Sequence, residues 1–316
     1  MDRRTFLLHT LAAAFLAACG SAELPAPPAS PIVADPGSDF HAIYDDPQLR
    51  ERFLLFLTNV FHLYPEDELH RLVEAATKAN ASDEAIYAAV VAGLPSITPT
   101  ASTVRYALPA LQKQKAVMAH QTATLLGEGT IDGYLEIGTV GRYRNALSKR
   151  VTLEGPSFVV HDREPGKDLS DVVERGTVGD AGTFVDLAGY APIGDAVPDA
   201  SIGLVTNYIG FHHCPDGALE GFVGSIRRVL RPGGRLVLRE HDVNRPVMRS
   251  LVALAHDVFN AGTGLTWAEN HAEIRGFRSV ADWVTHLGAH GFRRLPGEQR
   301  QEGDPTDNVL LVLERV

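Results

Sequence analysis

The chain is poor in cysteine, methionine, tryptophan and positive charge. Two cysteines in 316 residues, Cys19 and Cys214, exclude a disulfide framework and a cysteine-rich zinc site. Lys and Arg number 29 against 39 Asp and Glu, a formal net charge of −10, so affinity for a phosphate backbone has no electrostatic footing and no nucleic acid is expected as partner. No apolar run reaches the roughly 20 residues of a membrane-spanning helix. Abundant apolar residues, 45% of the chain, exclude disorder as the main state and leave room for one large or two modest domains.

The first residues read as an address. Met1-Asp2-Arg3-Arg4 precedes a short apolar run to Ala18, the layout of a secretory signal. Arg3-Arg4-Thr5-Phe6-Leu7 resembles a twin-arginine signal, and Leu16-Ala17-Ala18-Cys19-Gly20 resembles a lipobox, whose cysteine is acylated and becomes the mature N-terminus. The expectation is an exported lipoprotein held on a membrane of a bacterial envelope through acylated Cys19. An internal start would instead leave a cytoplasmic protein. Residues 1–19 are then the signal and 20–39 a tether, since Pro25, Pro27, Pro28, Pro31 and Pro36 disfavour a helix.

Two folded regions are expected next. Residues 40–127 have helical periodicity, with Leu49, Phe53, Phe56, Leu57, Val60 and Phe61 on one stripe. Pro65 can open a second helix, and Ser82 can cap a third that stops at Gly93. A last helix is expected from about Pro109 to Leu126. Residues 128–316 alternate short apolar runs with amphipathic helices, the pattern of a doubly wound α/β sheet. Strands are predicted at Tyr134–Ile137, Ser157–Val160, Thr183–Val185, Ile202–Val205 and Leu236–Leu238, with helices at Tyr143–Val151, Leu169–Arg175, Leu219–Leu230 and Val247–Phe259. At the end, a helix from Val280 to His290 and strands at Phe292–Leu295 and Val309–Leu313 require an antiparallel pairing.

Ligands of open α/β sheets bind beyond the carboxyl ends of the strands. The residues there are Glu136 to Gly141, Asp162, Asp186, Asn207 to His213, and Glu240-His241-Asp242. A glycine turn after the first strand and an acid after the second describe any nucleotide or nucleoside binder. Two longer stretches are more specific: Ala196 to His213, and Ile226-Arg-Arg-Val-Leu-Arg-Pro-Gly-Gly-Arg-Leu-Val-Leu-Arg-Glu-His-Asp242. With Glu136/Gly138, Asp162 and Asp186-Leu187-Ala188, they make residues 130–316 resemble a class I S-adenosylmethionine-dependent methyltransferase of the type 11-like group.

That resemblance implies a Rossmann-like sheet with a terminal antiparallel strand, and S-adenosylmethionine as cofactor. It implies that Gly138 admits the methionine end, Asp162 binds the ribose, and Asp186 with Leu187 borders the adenine. Asn207 would face the reactive end, and Glu136 would order the turn or reach the cofactor through water. The acceptor would be a small molecule, a lipid or an envelope component. One departure stands out: Val140 and Arg142 occupy positions where the family has glycine, with Gly141 beside them. The turn is rebuilt around Gly141, or cofactor binding is weak or lost. The second outcome would leave a silent methyltransferase fold serving as a binding or scaffold lipoprotein.

His212, His213, His241, Asp242, His256 and His271 crowd the same end of the sheet. Imidazoles with carboxylates suit zinc, iron or manganese, yet no H-x-x-x-H or cysteine spacing links these residues. The pair at that spacing, His286 and His290, has no nearby acid in sequence. The expectation is therefore no metal, with His241 and Asp242 as the catalytic pair and His241 as general base. Polar residues from Trp267 to Arg278 form either an acceptor lid or a solvated loop.

Overall fold

The computed structural model describes residues 33–99, 106–208 and 210–316. The signal, the lipobox with Cys19 and most of the tether lie outside the described residues. Among the described residues, no helix is long and apolar enough to cross a membrane.

The central sheet runs in the order β3-β2-β1-β4-β5-β8-β6, with β7 paired to β8. Its strands are β1 (Thr130–Ile137), β2 (Thr152–His161), β3 (Thr183–Asp186), β4 (Ile202–Asn207), β5 (Leu230–His241), β6 (Phe292–Arg294), β7 (Gln299–Arg300) and β8 (Asn308–Arg315). Neighbours from β3 across to β5 are parallel, and β8 enters antiparallel between β5 and β6. This is the expected doubly wound sheet with a terminal antiparallel strand. Because β1 pairs with β2 on one side and β4 on the other, the strand order reverses at β1, and the carboxyl ends of β1 and β4 are where ligands of such sheets bind.

The helices are α1 (Asp39–Tyr44), α2 (Pro47–Phe56), α3 (Glu66–Ala79), α4 (Asp83–Ile97), α5 (Leu108–Leu126), the single turn α6 (Arg144–Leu147), α7 (Leu169–Arg175), α8 (Asp216–Val229), α9 (Pro246–Gly262), α10 (Trp267–His271) and α11 (Val280–Ala289). One sheet face packs on α8 and α11 through Leu135, Ile137, Val205, Leu236, Phe222, Ile226 and Trp283. The opposite face carries Tyr134, Leu204, Val237 and Val312 and is covered by α5 through Met118 and Leu126.

The N-terminal helices and α9 share a third core. Phe40, Phe53, Phe56, Leu69, Val73 and Tyr87 pack with Met248, Leu251, Leu254 and Val258. Helix α9 therefore completes the helical region from a position after β5. Ser82 caps α4 as expected, its hydroxyl accepting from Ala85 N.

Three elements differ from the sequence reading. Helix α4 runs through Gly93 to Ile97, and a Cβ at Gly93 would collide with Leu72 Cδ1. That glycine serves close packing of α3 on α4. The helix expected over Tyr143–Val151 shortens to one turn, and its first residues are committed to Glu136 (below). Pro232-Gly233-Gly234 lies inside β5, at an irregularity in its pairing with β4.

Three carboxylates, Asp39, Asp83 and Asp257, meet where α1, α4 and α9 touch. Burial foremost, opposed by a hydrogen bond from Ser250, raises the Asp39 carboxyl to about 6. A folded value above the unfolded one means a stability contribution complete at acid pH and lost as pH climbs through 6. Asp39→Asn is thus expected to raise the melting temperature by a few degrees at pH 8 and to leave it unchanged at pH 4, measured by thermal circular dichroism. Equal shifts at both pH values would refute this reading of the trio.

Candidate functional site

The turn after β1 is organised by one buried carboxylate. Glu136 is fully buried and accepts hydrogen bonds from the Tyr134 hydroxyl at 2.8 Å, the Thr139 hydroxyl, Tyr143 N at 3.2 Å and Arg144 N at 3.0 Å. Burial raises its carboxyl above the usual range, and these bonds work against that rise. The carboxylate closes residues 138–144 into a loop, so its sequence-predicted ordering role has a visible cause.

Gly138 and Gly141 take positive φ, +84° and +85°, whereas Val140 does not. The β-branched residue therefore sits in ordinary backbone, and the left-handed position moves to Gly141. A Cβ at Gly141 would lie 3.0 Å from Ala181 Cβ, so the close approach that this glycine permits is to the chain itself. Gly138 N donates to Val160 O at 2.9 Å. Across the loop, Arg142 forms a forked pair with Glu174 of α7 at 2.7 and 2.9 Å, and Lys115 Nζ of α5 donates to the Glu174 carbonyl at 2.6 Å. Burial first, then the Arg142 charge, lowers the Lys115 amine to about 8.

The two predicted acids remain at the surface. Asp162, the residue after β2, is exposed. Asp186 ends β3 beside His161, is exposed, and accepts from Ala188 N at 2.9 Å. Leu187 is buried next to it, its N donating to His161 O at 3.1 Å.

Asn207 differs from both. It ends β4 in register with Ile137 and is fully buried, yet neither its Nδ2 nor its Oδ1 has a hydrogen-bond partner. The Tyr143 hydroxyl, beside the Arg142 guanidinium, is also buried without a partner of good geometry, and the Tyr143 ring lies 4.5 Å from that of Tyr208. An uncommitted buried amide costs about 1–3 kcal/mol. Such a cost at the carboxyl ends of β1 and β4 makes Asn207 a candidate for contact with polar atoms of a ligand.

A second cluster stands beyond β4 and β5. Phe211–His213 forms a short 3-10 turn, and Glu240, fully buried near the end of β5, accepts from His212 N at 3.3 Å and pairs with His212 Nδ1 at 2.7 Å. Burial pushes the Glu240 carboxyl up to about 8. A Cβ at Gly210 would lie 2.3 Å from Glu240 Oε1, which is why glycine precedes the turn.

His241 is the last residue of β5, and its Nδ1 lies 2.9 Å from Thr306 O. Burial, then the neighbouring His212 and His256, holds its imidazole well below the usual range, so the ring is neutral at pH 7 and resists protonation. Asp242 follows directly after β5. Its carboxylate accepts from Val280 N at 2.9 Å and from Asn244 Nδ2 at 3.2 Å, which ties β5 to the start of α11.

Sequence reasoning placed His256 on this face without assigning it a role, and gave Glu240 none. Their signal is spatial: His256 comes from α9 and stands with Nε2 3.3 Å from His212 Nε2. His271 is elsewhere, its ring 5.5 Å from that of Trp267. The segment after α9 is knitted down rather than loose. Asn270 donates to Asp257 at 2.8 Å, Asn260 to Asn270 at 2.8 Å, and Arg275 pairs with Asp257 at 2.8 Å. Cys214 is buried and its thiol is pushed up to about 12 by that burial, so it is protonated and inert at neutral pH.

No family model and no curated protein matches the chain. Among solved structures, it is similar to the pyocyanin biosynthetic protein PhzM, at 16% identity and TM-score 0.48, over 87% of this chain and 76% of that one. It is also similar to the CurJ carbon methyltransferase, at 12% identity and TM-score 0.45, over 85% and 70%. A third is the Burkholderia thailandensis 1,6-didemethyltoxoflavin-N1-methyltransferase with bound 1,6-didemethyltoxoflavin and S-adenosylhomocysteine, at 13% identity and TM-score 0.43, over 75% and 92%. At these identities the likeness concerns architecture alone.

Proposed function

We propose that the chain catalyses S-adenosylmethionine-dependent methyl transfer to a small-molecule, lipid or envelope acceptor, and that acylated Cys19 tethers it to a membrane. The observation that carries the chemistry is Asn207, a buried amide with donor and acceptor both uncommitted, placed beside the Glu136-ordered turn at the reversal of the strand order. The residues fit the cofactor. Asp162 and Asp186 are exposed acids at the ends of β2 and β3, suited to ribose hydroxyls and the adenine edge, and Gly138 lets the backbone be approached without a Cβ.

When bound, S-adenosylmethionine supplies a methyl group on a sulfonium that already has its leaving group. The chain has to hold the two reactants in line and manage one proton. Glu136 fixes the turn, Asn207 takes polar atoms at the end of β4, and neutral His241 is a weak base for the proton released by a hydroxyl or amine acceptor. Alignment of this kind is worth many kcal/mol. Asp242 acts through position, by holding β5 and α11 together beside His241. Val140 lends no support to the silent-fold alternative, because the rebuilt turn asks no positive φ of it.

The test is incubation of the purified chain with methyl-labelled S-adenosylmethionine and extracted lipids and metabolites. Label in an organic or polar product, absent with Asp162→Ala, is expected. Equal labelling with both chains would contradict the proposal. Mass spectrometry of the chain from a membrane fraction is expected to show an acylated N-terminal Cys19, and an intact Met1 or an internal start would overturn the tether.

A further inference from the structure

The histidine cluster beyond β4 and β5 contains more than a single base requires. His212, His241 and His256 come from a 3-10 turn, a strand end and a helix, yet one ring nitrogen of each lies within 4.8 Å of the others. Their ring centroids are separated by 5.3, 5.6 and 5.7 Å, a nearly equilateral triangle. Behind every ring stands a protein oxygen on Nδ1: Glu240 Oε2 at 2.7 Å, Thr306 O at 2.9 Å and Val252 O at 2.9 Å.

These oxygens decide the tautomers. A carbonyl can only accept, so Nδ1 of His241 and of His256 carries the hydrogen, and each Nε2 presents a lone pair. His256 Nε2 faces His212 Nε2 at 3.3 Å. His212 has at most one Nε2 hydrogen to set against two lone pairs in the same space, whereas one cation satisfies all three rings. A tetrahedral ion with nitrogen ligands at 2.0–2.1 Å separates them by about 3.3–3.4 Å, the spacing of the His212–His256 pair. Oxygen acceptors on the remote nitrogens are the feature that fixes ring orientation and raises basicity in metal-binding histidines. The Phe277 ring, 5.1 to 6.3 Å from all three imidazoles, limits water around them.

We propose that His212, His241 and His256 bind one divalent d-block cation, zinc by preference, through Nε2, leaving a fourth position for water or an acceptor oxygen. Among the described residues no fourth side chain joins this set. The metal site stands independently of the methyl-transfer reading, and with the ion bound it takes up the His241 lone pair that otherwise receives the proton; only the acceptor's place at the fourth position rests on that reading, and there the released proton passes to water. In that case the ion would polarise a hydroxyl or carboxylate oxygen and lower the cost of removing its proton. Sequence spacing gave no hint of it, because the three ligands lie 29 and 15 residues apart on separate elements.

The test uses the full-length chain, stripped with a chelator and titrated with Co²⁺ while visible absorption is followed. One equivalent is expected to give d–d bands without a thiolate charge-transfer band, and one equivalent of Zn²⁺ is expected to abolish them. His256→Ala should weaken Zn²⁺ binding at least 100-fold, and Glu240→Gln about 10–100-fold, since it exchanges the carboxylate behind His212 for a less basic amide. The double change His286→Ala with His290→Ala should leave binding intact. If His256→Ala fails to fold by circular dichroism, the wild-type spectrum and Glu240→Gln decide. Absence of d–d bands, a thiolate band from Cys19 or Cys214, or affinity unmoved by both His256→Ala and Glu240→Gln would overturn the proposal. S-adenosylmethionine titrated into the same metal-free chain separates this outcome from failure of the methyl-transfer reading.

Discussion

Glu136→Ala is expected to lower the melting temperature by about 10 °C or more. The substitution leaves the Thr139 hydroxyl and the amides of Tyr143 and Arg144 without their acceptor, and leaves the Tyr134 hydroxyl with Thr206 Oγ1 alone, in a site from which water is excluded. Each stranded buried donor costs about 1–3 kcal/mol. Partial relaxation of the loop brings the total to about 4–5 kcal/mol, and a domain of this size loses about 2–4 °C per kcal/mol. Glu136→Gln keeps the shape and one acceptor oxygen, so it should lose roughly half as much. Calorimetric scans of the two variants beside the wild type check the ordering. A drop under about 3 °C for Glu136→Ala would show that the carboxylate does not hold the turn.

Asn207→Leu is expected to move stability and ligand binding in opposite directions. Replacing a fully buried amide whose two polar atoms are unpartnered by an apolar side chain removes a desolvation cost. The ligand-free chain should therefore gain about 1–2 kcal/mol, with a melting temperature several degrees higher. S-adenosylmethionine affinity should fall by 10-fold or more, because the variant can neither donate nor accept at the end of β4. A stability paid into a site in this way is the usual trade between folding and function. Lower stability with unchanged affinity would place Asn207 in the core rather than in the site.

Architecture was largely legible in the sequence because it rests on periodicity. Leu219, Phe222, Val223, Ile226 and Val229 repeat at helical spacing and are all buried in α8 against the sheet. The runs Leu236–Leu238 and Val309–Leu313 are continuous because both strands are covered on two faces. What failed to show were glycines and breakers whose meaning depends on a neighbour. Gly93 reads as a helix stop until Leu72 stands against it, and Pro232-Gly233-Gly234 reads as an exit until β4 pairs alongside.

The candidate site divides in the same way. Glu136, Gly138, Asp162, Asp186 and Asn207 follow the strand ends, so their positions could be counted along the chain. That Glu136 spends its carboxylate on the turn, and that Gly141 rather than Val140 carries the positive φ, depends on contacts seven or eight residues on and across to Ala181. The pairings of Glu240 and His256 were hidden for a stronger reason. Their partner His212 lies 28 and 44 residues away, and no spacing rule spans a strand, a helix and a turn.

The central claim is tested most directly by calorimetric titration of S-adenosylmethionine and S-adenosylhomocysteine into a chain beginning at Ser21, unfolded and refolded beforehand to release any carried ligand, with NAD as control. The account predicts micromolar binding of both sulfur compounds, none of NAD, and a loss of 10-fold or more in Asp162→Ala. A chain that is folded by circular dichroism and binds neither compound would contradict it.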